Sequence, residues 1–210
     1  NNVHLACLDL EGVLVPEIWI NVARNTGIQE LKATTRDIPD YDQLMRQRLR
    51  ILDEHQLGID DIQRVIASMG PLAGAIEFLN ELRQVFQVII LSDTFYEFAM
   101  PLMHQLGFPA LFCHKLEIDS DRRIADYHLR MPDQKRQSVR AFHQLNFKVI
   151  AAGDSYNDTT MLSEADAGIL FKPPQNVIDE FPQFPVAADY SQLLNEFKSA
   201  ADMIRNKSTT

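Results

Sequence analysis

Apolar positions in this chain follow two rhythms that alternate along most of its length. The runs Val3-His4-Leu5-Ala6-Cys7-Leu8, Val88-Ile89-Ile90-Leu91 and Val149-Ile150-Ala151-Ala152 lack the every-second-residue polarity of a half-exposed strand, so they read as strands buried on both faces. Between and around them, apolar residues spaced by three and four predict helices over 17–26, 41–55, 59–69, 72–85, 96–106, 134–145, 158–165 and 190–204. Gly27 and Gly107 stand where the first and fifth of these should stop. Leu111-Phe112 opens a further strand, the charged stretch 115–129 fits a hairpin, and Gly168 to Phe171 forms a last short strand ended by Pro173-Pro174. Pro182 and Pro185 punctuate a loop after it. Alternation of this kind implies a parallel sheet with right-handed crossovers.

The rhythm is broken once. After Gly12 and Pro16 mark a turn, a loop over 33–40 and successive helices with no strand between them fill the chain as far as Gly70-Pro71. A segment of that length without strands reads as an insertion over the strand ends. The expected fold is therefore α/β, a Rossmann-like parallel-sheet core from 1–15 and 71–210, with helices on both faces and a small helical cap at 16–70.

Composition narrows the partners. The length of 210 residues suits one core with an appendage, and a net charge of −9 argues against nucleic acid or an anionic membrane surface. Cys7 and Cys113 have no paired spacing, so neither a disulfide framework nor a zinc site is supported, which fits a reducing compartment. No stretch has the roughly 20 apolar residues of a membrane span, and no leader precedes the first strand, so the expected location is the cytoplasm.

Chemistry gathers where the strands end. Asp9, Glu11, Asp154 and Asp158 are brought to one sheet edge, and so many carboxylates cannot remain ionised together without a cation or large pKa shifts. Mg²⁺, a hard ion that takes a few carboxylate oxygens, answers this with Asp9 and Asp154 as ligands and Asp158 in support. Taken singly, Asp158 is also a plausible helix cap and Asp93 an Asx-turn residue. Ser92 can offer its hydroxyl and adjacent N–H groups to an anion, or serve as an ordinary N-cap. Lys135 opposes the macrodipole at a helix start, which points to a role other than stability or to simple solvation. The six histidines lack ligand spacing, and His114 and His143 read as structural or exposed.

Asp9-Leu10-Glu11-Gly12-Val13, Leu91-Ser92-Asp93, Lys135 and Gly153-Asp154-Ser155-Tyr156-Asn157-Asp158, in this order, resemble the four motifs of the haloacid dehalogenase superfamily of aspartyl-phosphate phosphatases. The helical insertion is similar to the cap of phosphoserine phosphatases. Leu10 to Trp19 and Lys32 to Tyr41 are closer still to the subgroup that is both phosphoserine phosphatase and phosphoserine:homoserine phosphotransferase. The resemblance implies Asp9 as nucleophile, Glu11 as acid and base, and Lys135 with Ser92 and Asp93 around the phosphate. It further implies Mg²⁺ on Asp9, the Glu11 carbonyl and Asp154, with Asp158 supporting that shell and Asn157 on the substrate or phosphate. Glu17 would meet the substrate's amino group and Arg48 its carboxylate, although Glu17 is also a normal first-turn acid and Arg48 sits in the basic run Arg46, Arg48, Arg50.

Three departures stand out: Glu11 replaces the usual aspartate, Asp93 replaces the usual glycine, and Glu17 lies one residue nearer the nucleophile. The first bears on competition between an alcohol acceptor and water. The implied activity is hydrolysis of phosphoserine, with homoserine as a further acceptor. The alternatives are another small phosphomonoester or a non-catalytic phosphate-binding domain; a haloalkanoate dehalogenase needs no Mg²⁺-binding acids. The cap also offers a surface on which two copies could pair as a homodimer.

Overall fold

Every residue of β1 (His4–Leu8) is buried, as befits a strand with a neighbour on each edge and helices over each face. The computed structural model describes residues 4–207, so Val3, which opens that apolar run, lies outside the described residues together with Asn1-Asn2 and 208–210. The other strands are β2 (Gln87–Phe95), β3 (Ala110–Ile118), β4 (Ile124–His128), β5 (Lys148–Gly153), β6 (Ala167–Phe171) and β7 (Val186–Ala187). Together they form a sheet of order β4-β3-β2-β1-β5-β6-β7, parallel except for the β3/β4 hairpin. The chain leaves β1 towards β2 and β3 and later returns to its other edge at β5. The loops after β1 and β5 therefore diverge, which opens a crevice at their C-terminal ends.

Alternate side chains of the strands build two cores. Ala6, Leu8, Ile90, Ile150 and Ile169 join apolar residues of α4 (Ala75–Val85), α5 (Tyr96–Gln105) and α9 (Tyr190–Lys207). Leu5, Cys7, Leu91, Val149 and Leu170 join those of α6 (Gln134–Gln144) and α7 (Thr159–Glu164) on the opposite face. The expected α/β fold with helices on both faces is thus observed. Both cysteines are free and buried, and no helix of the described residues is long and apolar enough to cross a membrane.

The segment between β1 and α4 carries helices without a strand of the sheet between them: α1 (Ile18–Thr26), α2 (Tyr41–Glu54) and α3 (Ile59–Met69), with a 3₁₀ turn at Gln29–Lys32. α1 stops at Gly27, whose φ of 74° lies in the left-handed region that glycine enters without strain. α3 is tied to α5 through a proline. Pro101 has no N–H to give the carbonyl of Glu97, and that carbonyl instead accepts from Gln63 Nε2 at 2.8 Å. Gln105 Nε2 returns a second bond to Ala67 O at 2.9 Å. α2 reaches the hairpin through charge: Arg46 meets Asp126 at 2.8 Å, Arg123 meets Asp53 at 2.5 Å and the Tyr127 hydroxyl donates to Asp42.

Several boundaries differ from the sequence reading. β2 continues through Ser92, Asp93 and Thr94 to Phe95, because a β3 neighbour still pairs with it beyond Leu91. Ser92 is consequently a strand residue and not the cap of a helix. α4 begins at Ala75, after Gly74 turns the chain at a φ of 84°. A short helix, α8 (Gln175–Glu180), and β7 occupy the stretch read as loop, with Pro174 starting the helix that buries Val177.

Asp166, between α7 and β6, accepts from Val149 N–H at 2.8 Å, His143 Nε2 at 2.9 Å and Lys148 Nζ at 3.2 Å. Burial alone would raise its carboxyl, but these donors outweigh burial and hold it below the usual aspartate range. Asp166→Ala is expected to lower stability by about 1.5–3 kcal/mol near neutral pH. Because the folded carboxyl titrates below the unfolded one, its contribution is complete above about pH 4 and disappears as pH falls through the folded value. Urea unfolding of both proteins across that range should show the difference closing in acid.

Candidate active site

Asp9 follows β1 directly, and its N–H donates to Ala152 O at 3.0 Å, which joins the ends of β1 and β5. Its Oδ1 accepts from Leu10 N–H at 2.8 Å and from Lys135 Nζ at 2.9 Å. Lys135, only 6% exposed in the first turn of α6, also donates to Asp158 Oδ1 at 2.8 Å and lies 3.9 Å from Asp93 Oδ2. Burial works against its charge, but Asp158, Asp9 and Asp93 override this and hold the ammonium protonated. Solvation of Lys135, one of its two sequence readings, is thus excluded. Asp158 stands at the N-cap position of α7 but its side chain makes no cap hydrogen bond there; it accepts instead from Ser155 N–H at 3.2 Å in the 3₁₀ turn at Tyr156–Asp158 and pairs with Lys135.

Carboxylate oxygens of Asp9, Asp154 and Asp158 lie within 4.8 Å of one another. Burial, then the charge of Asp158, raises the Asp9 carboxyl well above its ordinary value; the same two causes raise Asp154 to about 7. One ammonium does not neutralise three close carboxylates, so this donor set fits a hard divalent cation. Glycine makes the room. A Cβ on Gly12, whose φ is +82°, would stand 2.0 Å from Asp154 Oδ2, and one on Gly153 would stand 2.4 Å from Asp158 Cγ. Glu11, half-buried at the turn closed by Gly12 N–H to Val15 O, has its carboxyl raised to about 7, chiefly by burial.

Ser92 is buried at the end of the β2 core, and its Oγ accepts from Thr94 N–H at 3.2 Å. Asp93 does not make the Asx-turn. Its Oδ1 lies 3.4 Å from His114 Nε2 and 3.2 Å from Gln134 Nε2. Burial works to raise the Asp93 carboxyl, but the His114 and Gln134 hydrogen bonds and the Lys135 charge hold it well below the usual range. Asn157 is exposed and lines the same cavity as Asp93 and Lys135.

Arg48 is not part of a solvated face. It is 7% exposed, lies 4.6 Å above the Trp19 ring, and gives Nη2 to Ala33 O at 2.8 Å, while its buried Nε has no hydrogen-bond partner. Burial lowers it to about 10, opposed by the charges of Tyr41 and Glu11. Arg46 and Arg50, its neighbours in the basic run, are exposed and bound to surface acids. Glu17 is exposed at the start of α1. His114, Gln134, Arg130 and Tyr41 were not read as site residues. Gln134 adjoins Lys135 in sequence, but only the folded hairpin brings His114 and Arg130 beside it.

The crevice location, the acid cluster and the buried lysine agree with a comparison against known families: residues 3–166 match the haloacid dehalogenase-like hydrolases, and the chain belongs to that family. Among its relatives, phosphoserine phosphatase ThrH of Pseudomonas aeruginosa is 68% identical over 199 residues, covering 95% of this chain and 97% of its own. A phosphoserine phosphatase of Pseudomonas syringae pv. tomato is 64% identical over 200 residues, covering 95% and 84% respectively. The crystal structure of a phosphoserine phosphatase in apo form superposes with a TM-score of 0.75 at 21% identity, over 92% of this chain and 98% of that one. The resemblance drawn from the four motifs therefore holds, and the fold is that of these enzymes.

Gly12→Ala is expected to displace Asp154 and cut phosphatase activity by about a hundredfold, while circular dichroism shows the fold retained. Full activity would mean that the Asp154 position is not needed.

Proposed function

We propose that this chain is a Mg²⁺-dependent hydrolase of O-phospho-L-serine that also transfers the phosphoryl group to homoserine. The observation that carries this reading is the buried Asp9–Lys135–Asp158 arrangement at the crevice, with a protonatable Glu11 two residues from Asp9. Relatives named phosphoserine phosphatase at 64–68% identity support the substrate.

In this reading Asp9 attacks phosphorus and the bond from phosphorus to the serine oxygen breaks. Glu11, with a carboxyl near 7, carries the proton that the leaving oxygen takes. Water or an alcohol then returns a proton to Glu11 as it attacks the aspartyl-phosphate, and Asp9 leaves with the bonding pair. Lys135, with Ser92 and the Asp93 N–H, holds the charge that builds on the phosphoryl oxygens, and Asn157 contacts the substrate. Asp9, Asp154 and the Glu11 carbonyl are the groups that would hold Mg²⁺, supported by Asp158, and the bound ion supplies charge neutralisation.

Residues 16–70 act as a cap that closes on the substrate. Arg48, fixed by Trp19 and Ala33 with a spare Nε, reads the carboxylate, and Glu17 at the start of α1 reads the amine. Two buried free thiols suit a cytoplasmic enzyme.

Phosphate release and phosphohomoserine formation, measured together in phosphoserine, Mg²⁺ and homoserine, should both appear and should stop on chelation. Asp9→Asn should lower them by about a thousandfold or more. Release from other small phosphomonoesters but not phosphoserine would overturn the substrate. Arg48→Ala should raise the KM for phosphoserine by roughly tenfold to a hundredfold with a smaller effect on kcat, as expected for loss of a charged hydrogen bond.

A further inference from the structure

Asp93 places a fixed negative charge beside a site meant for a phosphate dianion, and the structure commits several buried groups to keeping it there. His114, 4% exposed, has its tautomer set by Arg130 N–H, which donates to Nδ1 at 3.0 Å, so Nε2 carries the hydrogen that faces Asp93. Gln134, 1% exposed, spans Ser92 O at 2.7 Å and Asp93 Oδ1, while its Oε1 accepts from Arg130 Nη2 at 2.7 Å. Arg130 is itself seated over the Phe112 ring at 5.2 Å and within 3.3 Å of Ser138 Oγ. The back of the Asp93 carboxylate is thus held from two sides.

Its front is open. The side chain is 53% exposed to a cavity of about 310 Å³ whose walls include Thr35, Tyr41, Leu129, Met131 and Asn157. The cavity's lysine, Lys135, is engaged by Asp9 and Asp158, and its other acid, Asp133, is taken by Thr160 Oγ1 at 3.0 Å. Asp93 Oδ2 lies 3.9 Å from Lys135 Nζ and accepts no hydrogen bond among the described residues, so it is the acid oxygen on these walls with room for a donor, and its complement in a ligand is a compact cation with several donors.

Resting on the transfer reading above, we propose that Asp93 determines acceptor specificity, its cavity-facing Oδ2 pairing with the ammonium group of a hydroxy-amino-acid acceptor. The paired acceptor presents its hydroxyl to the phosphorylated Asp9. The hydroxyl oxygen bonds to phosphorus, the bond from phosphorus to Asp9 Oδ breaks with its electron pair going to the carboxylate, and the hydroxyl proton goes to Glu11. His114 and Gln134 are positioning residues that act through Asp93.

The test uses phosphoserine as donor and compares transfer to homoserine with transfer to 4-hydroxybutanoate, which differs only in lacking the amine. The native protein should prefer homoserine by about tenfold or more, the worth of one charged hydrogen bond. Asp93→Asn keeps the shape and the Gln134 contact; it should cut the preference at least severalfold through a higher acceptor KM, with Glu17 accounting for what remains, and Asp93→Glu should restore part of the loss. Each preference is a ratio on one preparation, so a reduced folded fraction cancels. Equal transfer to both acceptors by the native protein, or an undiminished preference in Asp93→Asn, overturns the proposal while leaving transfer intact. Hydrolysis of phosphoserine with transfer to neither acceptor overturns the transfer reading and this proposal with it.

Discussion

One buried ammonium governs the ends of three strands. Lys135 reaches from α6 to Asp9 after β1, to Asp158 after β5 and towards Asp93 at the end of β2, and the first of these lies 126 positions from it in the chain. Taking charge out of water is costly unless partners surround it, so each of these side chains is fixed by the others. The backbone contributes as well, since Leu10 N–H holds Asp9, and the N–H groups of Asp154 and Ser155 hold Asp158. Asp154 is left to face its neighbours without an ammonium of its own, which is the electrostatic signature of a cation site.

The site is therefore divided by Lys135. On one side stand the crowded carboxylates, where close repulsion favours a divalent ion. On the other stands Asp93, singly placed, strongly ionised and open to the cavity. A substrate with a phosphate at one end and an amino acid at the other would meet both kinds of charge. Arg48 completes the set from α2, where its partial satisfaction in the free protein leaves donors for a carboxylate.

Much of this was legible in the sequence because burial on both faces leaves unbroken apolar runs, and because an acid placed directly after such a run has few structural reasons to be there. Lys135 was visible as a charge set against its own helix. What could not be read depends on contacts across the fold. His114 meets Asp93, and Arg130 meets His114 and Gln134, only when the β3/β4 hairpin and α6 are in place, and no local pattern marks a histidine whose partner lies 21 residues away. By local spacing alone Arg48 reads equally as one of three surface arginines; the family resemblance singles it out, and its burial against Trp19 sets it apart from Arg46 and Arg50. β2 was cut short in the reading because Ser92-Asp93-Thr94 resembles a turn by composition, whereas pairing with β3 keeps it extended. α8 was hidden by prolines that in this case open a helix.

The two attachments of the inserted helices are of different material. α3 is held to α5 by side-chain amides on backbone carbonyls, one of them freed by Pro101, and by apolar packing, none of which dissolved salt weakens much. α2, which carries Arg48 and Tyr41, adds to its apolar packing exposed ion pairs with the β4 hairpin at Arg46 and Arg123, and such pairs are screened within about 10 Å at ordinary ionic strength. Salt therefore acts on the seam between the inserted helices and the hairpin, which Asp60 of α3 and Arg122 also bridge, while the α3–α5 seam holds, so ionic strength bears first on the wall that carries Arg48 and Tyr41.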